Sequence, residues 1–136
     1  MKDNWTIRLI EVDNFTAVAM VNKGYLDFSN KSEFPLLLSV ELSLVETIDD
    51  LPTENEKERL DEIEKKLVAI FKSTQEVLYI GHVTRKGFHD ILCYISDEKL
   101  NLEAINTYCD TIEQERTIAI DINEDSEWGA AYGVLD

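Results

Sequence analysis

The sequence predicts one α+β domain, a ferredoxin-like split β-α-β-β-α-β core preceded by an N-terminal β-hairpin. Three observations predict it. Two segments space their apolar residues as helices do, and six show the alternation or apolar density of strands. From residue 36 the order runs strand, helix, strand, strand, helix, strand, which is the split βαβ arrangement. Finally, 136 residues with a hydrophobic share of 44% suit a single core that needs no disulfide or metal staple. The chain therefore divides into a hairpin (1–22), the core (36–122) and an acidic, then aromatic, tail (123–136) within one domain, 1–136.

Trp5 to Val12 and Phe15 to Val21 read as strands joined at Asp13-Asn14, a dipeptide that tolerates the left-handed backbone of a two-residue turn. Gly24, Ser29, Asn30, Ser32 and Pro35 mark 22–35 as a loop. Leu36, Leu38, Val40, Leu42 and Leu44 then alternate with a mostly polar set, which predicts a strand with one face on the core. Thr53 can cap the next helix, with Glu56 placed as in a capping box. Leu60, Ile63, Leu67, Ile70 and Phe71 form its apolar stripe, opposite Glu58, Asp61, Glu62, Lys65 and Lys66.

Glu76 to Thr84 and Phe88 to Ser96 form a second hairpin around Arg85-Lys86-Gly87. Strict alternation puts Val77, Tyr79 and Val83 on one side and Leu78 and Ile80 on the other, so both faces need cover. Asn101 can cap a helix whose stripe is Leu102, Ile105, Tyr108, Cys109 and Ile112. Thr117 to Ile122 closes the core as a strand. Two right-handed crossovers would put both helices on one sheet face. The N-terminal hairpin either extends the sheet edge or covers its open face.

Acidic residues number 28 against 13 basic ones, a net charge of −15. Such a surface repels nucleic acid phosphates and anionic lipid, favours solubility, and attracts a basic protein partner. The N-terminal residues Met1-Lys2-Asp3-Asn4 lead into alternation with no apolar stretch of signal-peptide or membrane-spanning length. The only cysteines, Cys93 and Cys109, lack metal-type spacing and read as ordinary thiols of a reducing cytoplasm.

Few residues suggest chemistry. His82 and His89 flank the second hairpin turn, and a loop centred on Arg85-Lys86 would set them opposite each other. That makes them weak metal candidates, since no further ligand has recognisable spacing to them. A register shift of one residue is expected to undo the pairing. Asp121, Asn123 and Asp125 open like a calcium loop, but Ser126 stands where glycine is needed and Tyr132 where glutamate is needed. There is no nucleophile elbow, and Gly24, Gly81 and Gly87 stand alone rather than in a phosphate-cradling loop. Gly129 and Gly133 flank Ala130-Ala131 in the tail without a following helix. Trp5, Trp128 and Tyr132 either pack together to close the domain, or Trp128, Tyr132 and Tyr25 form an exposed anchor for a partner.

Trp5, the stretch Phe34-Pro35-Leu36-Leu37-Leu38-Ser39-Val40, the run Gly81 to Asp90, and Asp125-Ser126-Glu127-Trp128 with Tyr132 span nearly the whole chain. Together they resemble the bacterial family catalogued as domain of unknown function 695. At the level of fold and charge the chain is also similar to the regulator of ribonuclease E activity B. That resemblance implies a regulatory protein that works by binding an enzyme, and it carries over no contact residue.

The function expected on these grounds is a cytoplasmic protein-binding or regulatory module that engages a basic partner or an enzyme and needs no cofactor; the sequence leans against catalysis without deciding it. The alternative is a small-ligand binder or enzyme with a pocket near His82 and His89. A third reading is a homodimer formed through the second sheet face.

Overall fold

A computed structural model of the chain describes residues 1–136. Strands β1 (Trp5–Val12) and β2 (Phe15–Asn22) meet at Asp13 and Asn14, whose φ angles of 50° and 64° are the left-handed pair expected there. Two short 3-10 turns, Lys23–Asp27 and Lys31–Glu33, lead to β3 (Leu36–Ser43), whose Leu38, Val40 and Leu42 are buried. A miniature hairpin follows, β4 (Thr47–Ile48) and β5 (Leu51–Pro52), turning on Asp49 and Asp50 with left-handed backbones. The remaining elements are α1 (Glu54–Lys72), β6 (Leu78–Arg85), β7 (Phe88–Ile95), α2 (Leu102–Ile112), β8 (Ile118–Glu124) and α3 (Gly129–Leu135).

The long strands form one six-stranded sheet in the order β1-β2-β6-β7-β3-β8, and every pairing is antiparallel. The fold is thus α+β. The first hairpin extends the sheet, because β2 pairs with β6. Helices α1 and α2 lie together on one face, where Leu60, Ile63, Leu67, Phe71, Ile105 and Ile112 pack on inward residues of β3 and β7. No helix is long and apolar enough to cross a membrane.

The opposite face is covered by the chain's own tail. Helix α3 and the 23–34 segment close over Ala17, Ala19, Leu78, Ile80 and Tyr94 around a fully buried Trp128. Trp128 stacks on Tyr94 with ring centres 4.2 Å apart, and its indole N–H donates to the Phe34 carbonyl at 2.9 Å. The tail reading is corrected here: Gly129 to Leu135 is a helix. Seven residues with two glycines have little intrinsic helicity, so the helix depends on tertiary support. Asp125 supplies it by accepting from the amides of Gly129 and Ala130 and from the Tyr94 hydroxyl. Trp5 lies on the helix side of the sheet beside Tyr79, so the two tryptophans do not pack together.

The start of α1 departs from a capping box. Thr53 Oγ1 accepts from the Glu56 amide at 3.3 Å as expected, but the Glu56 carboxylate does not return to the cap. It accepts from the Val45 amide at 2.6 Å and from Arg116 Nη1 and Nη2 at 3.0 and 2.9 Å. This buried pair ties α1 to the strand it follows and to the start of β8. Burial would raise the Glu56 carboxyl; the Arg116 and Val45 hydrogen bonds outweigh it and hold it below its ordinary 4.5.

A depressed folded value stabilises the protein above the unfolded value and loses that stability as pH falls through the folded one. The contribution of Glu56, read in urea unfolding as the difference between wild type and Glu56→Gln, should therefore be constant from pH 7 to about 5 and decline below. Glu56→Gln should cost about 3 kcal/mol at neutral pH and show a shallower acid decline. Equal acid slopes in the two proteins would contradict the assignment.

Candidate functional site

The sheet is wider than the helical layer above it. Helices α1 and α2 pack on residues of β3, β7, β8 and on Tyr79 of β6, and no residue of β1 or β2 joins that cluster, so the first hairpin projects as an overhang. The junction leaves a cavity of about 360 Å³ lined by Ile7, Val18, Met20, Leu51, Leu60 and Pro52 among its apolar residues. Its polar floor is Glu64, His82, Thr84 and His89, and Lys57 and Asp61 of α1 also line it.

A bulge in β6 puts His82 on that floor. Tyr79 pairs with Cys93 and Gly81 with Leu92, leaving Ile80 as an extra residue. Gly81 has φ of 141°, and a Cβ there would lie 2.0 Å from the Met20 carbonyl oxygen of β2. Only glycine lets the backbones approach so closely. Past the bulge the alternation inverts. Val83 joins Leu78 and Ile80 in the cluster around Trp128, not Val77 and Tyr79 as strict alternation would have it. His82 and Thr84 accordingly come round to the helix face.

The turn also differs from the expected register. Arg85 pairs with Phe88, so the loop is Lys86-Gly87, and His89 stands opposite Thr84 while His82 stands opposite Ile91. The histidines are diagonal neighbours rather than direct partners. Moving the loop by one residue along both strands preserves which face each residue occupies, so the rings still meet, with centres 4.4 Å apart.

Between them lies Glu64, buried in the middle of α1. Its Oε2 is 2.9 Å from His82 Nδ1 and its Oε1 is 2.8 Å from His89 Nε2. Burial pushes the Glu64 carboxyl up, but hydrogen bonds from His82 and His89 outweigh it and hold it below the ordinary carboxylate range. An ionised carboxylate only accepts, so both ring nitrogens donate to it. The second nitrogen of His89, Nδ1, is 2.9 Å from Thr84 Oγ1. A hydroxyl can donate or accept, so Thr84 serves His89 in either protonation state. Chemically, the floor is a carboxylate bridging two imidazoles at the end of a chamber with largely apolar walls.

A family profile described as a family of unknown function, DUF695, matches residues 3–132. The chain belongs to the DUF695 family. No curated protein and no solved structure matches it. The matched span contains Glu64, both histidines and the glycine of the bulge.

The other residues singled out from the sequence lie elsewhere. Trp128 is core, Tyr25 is half-buried against it, and only Tyr132 of the expected anchor trio is exposed, with Lys31 Nζ 4.9 Å over its ring. Cys93 and Cys109 are free thiols; burial pushes both upward, which leaves them poor nucleophiles at neutral pH. Asp125 spends its oxygens on Tyr94 and α3.

Glu64 was missed by sequence reasoning, although a signal existed. It stands four residues after Leu60 and three before Leu67, inside the stripe that α1 buries, where a carboxylate needs a partner. Substituting Gly81 tests the construction. Gly81→Ala should cost about 3 kcal/mol in unfolding free energy, from backbone strain and the clash with β2. Gly87→Ala should cost only about 1 kcal/mol, because its left-handed position is open to solvent. Equal costs would mean that the bulge is not under this constraint.

Proposed function

We propose that the protein binds a small amphipathic molecule in the chamber between α1 and the strand overhang, with Glu64, His82 and His89 meeting its polar end. The observation that carries this reading is the buried Glu64 held by two imidazoles on the floor of a cavity whose walls include Ile7, Val18, Met20, Leu51 and Leu60. A volume of about 360 Å³ is at the lower end of the range that small-molecule sites occupy. This reading develops the alternative expectation of a small-ligand binder or enzyme with a pocket near His82 and His89. Glu64 and Asp61 outnumber Lys57 in the lining, which favours a ligand with a cationic or donating head.

Hexylamine is a suitable probe, with hexanol and hexanoate as comparisons. Titration of EDTA-treated protein should move the Met20 methyl signal and leave that of Met1, the other methionine, in place. Val18→Arg, which fills the chamber, should weaken the response at least tenfold. Indifference to Val18→Arg, or equal movement at Met1, would contradict the reading.

A second reading is a regulatory module for a basic partner. It is supported by the net charge of −15 and by the outward carboxylates Glu54, Glu58, Asp61 and Glu62 on α1. Binding of that kind should weaken steadily as salt rises. A partner retained equally at low and high salt speaks against it. For residues 36–122 we also favour the ferredoxin-like split arrangement, on the strand order β6-β7-β3-β8 and the two helices sharing one face. The free thiols support a cytoplasmic setting.

A further inference from the structure

We infer that Glu64, His82 and His89 hold one divalent transition-metal ion, zinc or a first-row neighbour, on the floor of the chamber. The inference rests on reading that chamber as a ligand site and supplies the chemistry of its polar end.

The donor set is two imidazoles and one carboxylate, with ligand atoms all within 4.8 Å of one another. Imidazole and carboxylate without thiolate suit zinc, iron, cobalt or nickel, whereas calcium and magnesium prefer oxygen alone. Three protein ligands beside an open chamber match metal sites that keep a position free for water or a ligand. A closed structural site would surround the ion on all sides.

Each donor is held from behind. Glu64 stands in the interior of a 19-residue helix. His89 is buried and is oriented by Thr84 at 2.9 Å. When Nε2 gives its lone pair to a metal, Nδ1–H donates to the Thr84 hydroxyl, which is the outer support that ligating histidines use. His82 is the adaptable member, with 27% of its side chain exposed.

The required movement is small. Ligands of a tetrahedral ion with bonds of ~2.0–2.1 Å stand about 3.3 Å apart. The two carboxylate–imidazole separations, 2.9 and 2.8 Å, must open by roughly half an ångström, and the widest separation in the set must contract from at most 4.8 Å. Rotation of the partly exposed His82 ring is the movement the site has room for.

Charge points the same way. The other buried carboxylate on this stripe, Glu56, faces a guanidinium that is always charged. Glu64 has only two imidazoles as hydrogen-bond partners and no such fixed cation, and a divalent ion at this place would supply one.

The test uses the untagged full chain, stripped with EDTA and titrated with Co²⁺ and Zn²⁺. Wild type should bind one equivalent, with the intense visible bands of four- or five-coordinate cobalt, and Mg²⁺ or Ca²⁺ in excess should not displace it. Thr84→Val should weaken binding 10- to 100-fold. His82→Ala, at the half-exposed position, should abolish the bands while thermal unfolding shows a folded protein. His89→Ala serves as a second loss variant. No stoichiometric binding by wild type, full displacement by Ca²⁺, or unchanged binding in folded His82→Ala would overturn the inference. The hexylamine result remains separate. Probe binding without cobalt binding removes the metal and keeps the chamber; cobalt binding without any probe response removes the chamber and keeps the metal.

Discussion

The backbones of β2 and β6 approach so closely at Gly81 that no side chain fits between them, and the site depends on that contact. The bulge there absorbs one residue, Ile80, and so reverses which way the rest of β6 faces. Had β6 run as a regular strand, His82 and Thr84 would lie among the aromatic residues around Trp128, and Glu64 would be buried against one imidazole. The same contact joins the first hairpin to the sheet, and that hairpin supplies Ile7, Val18 and Met20 of the chamber wall. One glycine thus sets both the chemistry and the enclosure.

Helix α1 carries two buried carboxylates on the face that it turns to the sheet, Glu56 and Glu64, one turn either side of Leu60. They are compensated differently. Glu56 meets Arg116 in a bidentate pair that cannot lose its proton, and it fastens the helix to β8. Glu64 meets two imidazoles whose charge and lone pairs can change. The first arrangement is a fastening. The second is expensive to bury for structural purposes alone, because apolar residues would fill the same space at lower cost. Its position beside a cavity at the edge of the helical cover is consistent with use rather than support.

Much of the fold was legible in the sequence. Period-two alternation located β1, β2 and β3, the caps Thr53 and Asn101 marked both long helices, and the order from residue 36 indicated which elements alternate. What escaped has a common cause: it depends on contacts distant along the chain. Helix α3 has weak local propensity and stands because Asp125 and Tyr94 receive its first amides. The bulge is invisible to alternation counting, since an isolated glycine in a strand shows only that a break is allowed. The histidine pair was noticed through a register that proved wrong by one loop position, yet the conserved parity of the two faces still brought the rings together. Glu64 was overlooked because the stripe was read from its apolar members alone.

The central claim is that the bulge brings His82 and His89 together over one carboxylate, and nuclear magnetic resonance tests it most directly. The chain has no other histidine, so the ring signals are simple to assign. The structure predicts cross-relaxation between the two rings and a shift of both sets of ring nitrogens on Glu64→Gln. Rings that show no cross-relaxation, with nitrogens indifferent to Glu64→Gln, would contradict the account.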